Sequence, residues 1–184
     1  MKRRRITRDR HNPLWLALVM TIGFTPRADA GTTEPQTPLV VMAAKKLGIS
    51  ACLPAITQIA TANTQGATEQ NIVVDWNRRT PNEAPFFSMT ALNIGSRHMV
   101  LSITAIPLPR NSCALMVQQV FSVQDSCSLI AQRDLTAYVG GVLIDGVMVY
   151  NDPSWPQKTY TLVQNTNNCT VIFRDAIPRW APPQ

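Results

Sequence analysis

Residues 112–127 read SCALMVQQVFSVQDSC, an apolar stretch with Cys113 near its start and Cys127 at its end. Taken two residues at a time, Cys113, Leu115, Val117, Phe121 and Val123 share one face, interrupted only by Gln119, and the valine and phenylalanine content suits a strand. Taken at 3.6 residues per turn, Cys113, Met116, Val117, Val120 and Phe121 also make a stripe, which a helix starting after Asn111-Ser112 would use. The strand is the preferred reading. Under either one the two cysteines are too far apart to bond with each other. The segment between them spans roughly 20 Å as a helix and 45 Å as a strand, against about 6 Å between the Cα atoms of a disulfide. Cys113 and Cys127 are therefore each expected to join either Cys52 or Cys169.

Redox chemistry follows from the N-terminus. MKRRRITRDRHNP is a basic opening, Leu14 to Phe24 is an apolar run of secretory length, and Ala28-Asp29-Ala30 is a small-x-small cleavage site. Residues 1–30 are read as a cleaved secretory signal peptide, so the mature chain begins at Gly31 and is periplasmic or secreted. The residue directly after the cleavage site is Gly31 and not cysteine, which argues against a lipid anchor there. The apolar run is short for a membrane span, and no later stretch approaches about 20 apolar residues. An even number of cysteines in an exported chain reads as two disulfides.

The leader also accounts for the charge. Of 17 basic and 11 acidic residues it holds seven and two, leaving ten and nine in the mature part, a net charge near +1. No general electrostatic case for nucleic acid or an anionic membrane remains. The remaining length suits one domain with its own core.

Along the chain, Thr37 is placed as the N-cap and Pro38 as the first residue of a short helix ending at Gly48, and a second helix is placed from Pro54, with Cys52 able to anchor the pair to a sheet. Strands are expected over 72–76, 86–94 and 98–106, then the 113–123 segment. A helix capped by Asp125 or Ser126 follows over 129–138 and is closed by Gly140-Gly141. Asp145-Gly146 between two apolar runs predicts a hairpin with a type I′ turn. Strands over 158–164 and 169–174 complete the list, and residues 177–184 are expected to leave the sheet as a proline-rich tail. The resulting expectation is an α+β fold: N-terminal helices packed on a mainly antiparallel sheet, a single domain over 31–176 with two disulfides.

Catalytic signatures are scarce. His98 is the one histidine of the mature chain, so multi-ligand zinc sites have too few ligands, and no cofactor is expected. As a general base His98 would need a neighbouring carboxylate; a strand-end histidine is ordinarily structural. Cys127 at a helix start could be a nucleophile, but an oxidising compartment and an even cysteine count favour a structural disulfide. Serine-hydrolase elbows, phosphate loops and dinucleotide fingerprints are absent. What stands out is tryptophan beside arginine in turn-like surroundings: Trp76 with Arg78 and Arg79, Trp155 between two prolines, and Trp180 with Arg179. These residue types dominate binding hot spots, although the ordinary reading of Trp76 and Trp155, less so of Trp180, is that each lids its own core from a loop.

The function expected is a non-catalytic interaction protein of the cell envelope: an inhibitor, an immunity-like factor or an assembly accessory whose partner is another envelope or secreted protein. The alternatives are a small exported hydrolase using His98 with a carboxylate, or a secreted effector.

Overall fold

The computed structural model describes residues 37–182; the expected signal peptide and cleavage site lie outside them. In chain order the elements are helices α1 (Leu39–Lys46) and α2 (Leu53–Thr64), strands β1 (Ala67–Trp76), β2 (Phe86–Ile94), β3 (Arg97–Leu108) and β4 (Ser112–Val123), helix α3 (Cys127–Asp134), and strands β5 (Val139–Ile144), β6 (Val147–Asp152), β7 (Trp155–Gln164) and β8 (Cys169–Trp180). The 112–127 stretch is thus a strand for most of its length, with its second cysteine opening a helix.

All eight strands form one antiparallel sheet in the order β1-β2-β3-β4-β8-β7-β6-β5. The chain builds half of it as a meander, crosses from β4 through α3 to the far edge, and returns strand by strand until β8 closes against β4. Sheet outweighs the three short helices, so the α+β description fits only loosely.

The helices lie on one face. Val40, Val41 and Ala44 of α1 and Ala55, Ile56 and Ala60 of α2 pack on the inward residues of β2, β3 and β4, including Phe86, Leu101, Ile103 and Val117. Each large side chain so buried contributes about 1.5–3 kcal/mol. A smaller cluster joins Cys127 and Ile130 of α3 with Leu135, Leu162, Cys169 and Val171. Phe121 of β4 touches both clusters, the seam between them. Gln119, the polar interruption in the stripe, is accommodated because its amide nitrogen donates to Asn63 Oδ1 on α2.

Two disulfides fix the helices to the strands, Cys52–Cys113 and Cys127–Cys169, and no described cysteine is free. The first ties the start of α2 to β4; the second ties the start of α3 to β8. Polar clamps repeat the same work. Asn82, in the β1–β2 loop, accepts from Ser50 N (2.6 Å) and Ala51 N (3.0 Å) and donates to Gly48 O (3.0 Å), holding the α1–α2 corner. Gln164 Oε1 accepts from Cys127 N (2.8 Å) at the start of α3, and Ser126 caps the same turn through Leu129 N.

Several local expectations change. Pro38, not Thr37, flanks α1, and no cap side chain bonds to the first turn; Gln70 Oε1 on β1 receives Leu39 N from 31 residues away instead. The third helix stops at Asp134, and Gly140-Gly141 belong to β5, where a Cβ at Gly140 would come within 2.0 Å of Val149 O. The 145–146 hairpin forms, but only Gly146 has positive φ (+74°), so the turn is not type I′; a bulge between Val142 and Ile144 accompanies it. Two successive positive-φ residues occur instead at Arg110 and Asn111, between β3 and β4. Finally, β8 runs on to Trp180 through Pro178. The register slips there, Leu115 facing Ile177 and Cys113 facing Trp180, so the proline falls in an irregularity where a missing N–H costs no ladder bond.

Candidate functional site

The pairs Trp76–Phe86, Phe86–Ala105, Ala105–Leu115 and Leu115–Ile177 run across the sheet in a single row. All six residues singled out for binding lie along the end of the sheet marked by that row. Trp76 closes β1 and packs against the core, with the Arg78 guanidinium 5.3 Å above its ring. Arg79 is exposed, its N–H held by Asn77 Oδ1 at 2.9 Å. Trp180 is half-buried against the core and donates Nε1–H to Gln58 Oε1 (3.0 Å), while Arg179 reaches Ser112 Oγ (3.4 Å). Trp155 is exposed at the start of β7 and donates to Asp175 Oδ1 (3.1 Å). Four strand spacings separate Trp76 from β8, about 19 Å at 4.8 Å per strand. The structure therefore brings Trp155 and the Arg179–Trp180 pair to one end of β7–β8 and leaves Trp76, Arg78 and Arg79 apart at the β1 edge.

His98 lies at the opposite end, exposed. Its Nδ1 bonds to Asn93 Oδ1, and Asn93 Nδ2 donates to Glu69 Oε2 at 2.6 Å, so a carboxylate reaches the imidazole only through an amide. These three residues, Arg97 and Ser122 border a shallow concavity of about 720 Å³. Among the described residues no group of three or more His, Cys, Asp or Glu side chains could hold a metal ion.

Sequence reasoning missed the face turned away from the helices. Val73 on β1, Phe87 and Met89 on β2, Ile106 on β3 and Met116 on β4 all point there, between 40% and 59% exposed. Register makes them neighbours: Val73 faces Met89, Phe87 faces Thr104, and Thr104 faces Met116. The centre of β2, between the inward Phe86 and Leu92, inverts the usual alternation. Its inward positions include Ser88 and Thr90, both buried, while Phe87 and Met89 face solvent. Small inward hydroxyl residues there lie beneath the helix layer, in which α1 packs over β2 and α2 over β3. The cost is visible at Thr90, whose Oγ1 is buried without a partner. The signal was present in the sequence as FFSMTAL, in which both parities carry large apolar residues; helix packing decides which parity is inside.

Set against known protein families, characterised proteins and solved structures, the chain matches none.

Proposed function

We propose that the protein is a non-catalytic exported interaction protein of the cell envelope, of the inhibitor, immunity-like or assembly-accessory kind, and that it docks another protein on the helix-free face of β1–β4. The observation that carries this reading is β2, which buries Ser88 and Thr90 and presents Phe87 and Met89 to solvent. A contiguous exposed apolar patch on a folded domain marks an interaction site more often than a surface at rest. Arg78 and Arg79 at the adjoining rim would supply its polar border. The two disulfides agree with an oxidising compartment, and among the described residues no helix is long and apolar enough to cross a membrane.

The test is capture of partners from an envelope extract by wild type, Phe87→Thr/Met89→Thr and Arg78→Ala/Arg79→Ala, each with its melting temperature checked. Loss of capture by the β2 variant at unchanged melting temperature supports the reading; equal recovery by all three removes this surface. N-terminal sequencing of the exported species should begin at Gly31, and a soluble product retaining Trp15 would contradict the export reading.

A second reading, a small exported hydrolase, draws on the Glu69–Asn93–His98 chain beside Ser122. It predicts esterase activity that His98→Ala abolishes.

A further inference from the structure

The two edges of the sheet are built differently. β1, at one edge, carries the carboxylates Glu69 and Asp75 along its length, the kind of charge that blocks a free edge from pairing with another chain. β5, at the other, reads VGGVLI and has no charge, no proline and no long polar side chain, and its bulge lies beside the turn, after Val142. Its large side chains are the most open apolar groups described: Val139 68%, Val142 73%, Leu143 68% and Ile144 64% exposed. On its inner side β5 pairs with β6 alone; its outer N–H and C=O groups face no other strand.

We propose that β5 pairs antiparallel with β5 of a second copy, giving a two-fold dimer whose sheet runs continuously through both molecules. A two-fold axis normal to the sheet keeps each face on its own side, so it must pass through a residue pair. Placed at Gly141, it sets Gly140 opposite Val142 of the other copy and confines the regular pairing to the part of β5 before its bulge at Leu143. The two Asp145 turns then project at opposite ends, where they do not meet. A second copy is favoured over a foreign strand by the side chains themselves. Strand addition takes its specificity from pockets for alternate side chains, and Gly140-Gly141 offer none. A copy of β5, by contrast, carries the same uncharged edge, and one pairing covers both. Assembly stops there, because both β5 edges are then paired and the edges left free are the two β1 strands, whose carboxylates oppose pairing with each other.

A six-residue edge buries less than the roughly 800 Å² per partner of a standard interface. The dimer is therefore a weak one, populated only at high protein concentration. This inference stands apart from the docking face on β1–β4, and either can fail alone.

Sedimentation velocity on the oxidised mature protein, from micromolar to millimolar concentration, should show a monomer passing to a dimer and no further. Leu143→Lys, at a solvent-facing site, should stay monomeric with an unchanged melting temperature. Should that variant not fold, Gly141→Cys provides the second arm: its thiols meet across the axis, and mild oxidation should give a reducible covalent dimer. A wild type monomeric throughout, a Leu143→Lys protein that dimerises as before, growth beyond the dimer, or absence of the Gly141→Cys crosslink would each overturn the proposal.

Discussion

Val73 on β1 and Met89 on β2 are directly paired across the ladder, and both side chains point away from the helices, 59% and 51% exposed. Because neither is packed by the fold, replacing Met89 and its neighbour Phe87 with threonine, a good strand former, should shift stability by no more than about 0.5 kcal/mol per site. Partner binding should fall by about 2 kcal/mol or more if the patch is a hot spot. Trp76→Ala is the contrast: that ring packs on the core, and its loss should cost about 3 kcal/mol of stability. Chemical denaturation of the variants checks both sides of this comparison.

Thr90→Val should stabilise the protein. The substitution keeps the branched shape and removes a buried hydroxyl that has no partner, a gain of about 1 kcal/mol. A denaturation midpoint that falls instead would mean that the hydroxyl is satisfied in solution.

Removing either disulfide as a double alanine variant should cost about 4 kcal/mol on the chain-entropy account, since the bonds close sequence separations of 61 and 42 residues. Thiol titration of the unreduced, denatured mature protein should find no reactive group. Two or four would contradict the pairing.

Tyr160 sets an alkaline limit. Burial, the neighbouring Tyr138 and the nearby Asp152 charge push its phenol up to about 12 from an ordinary value of 10. The folded protein therefore holds this proton more tightly than the unfolded chain. The stabilisation is fully present below pH 10 and is lost as pH rises towards 12. Tyr160→Phe should flatten the fall in melting temperature across that window, and ultraviolet titration of the wild type should show a late-ionising tyrosine that the variant lacks.

Features written in local chemistry were legible from the sequence. The alternation of Leu115, Val117 and Phe121 placed a strand, Asp145-Gly146 placed a hairpin, and the length of the 113–127 segment excluded one disulfide. Pairing-dependent features were not. Pro178 sits in β8 because β4 and β8 slip register beside it, and Leu39 is capped by Gln70, a strand residue that no local window around Pro38 contains. The bare face was hidden for a similar reason: FFSMTAL states that β2 has two apolar sides, and only the packing of the helix layer, α1 over β2 and α2 over β3, selects the one carrying hydroxyls as the interior. His98 was picked out by its rarity, yet its surroundings are an amide and, behind it, a carboxylate from a different strand.

The disulfides enclose consecutive, non-overlapping loops, 52–113 and 127–169. Pulled from its two ends, the oxidised protein can pay out only the chain before Cys52, the segment that holds β4, and the chain after Cys169. Both loops bear no load. Reduction would release roughly 350 Å of additional contour at about 3.4 Å per residue. Under oxidising conditions, tension therefore runs through two strands, β4 and β8, which are paired with each other, and through the segment that carries α1.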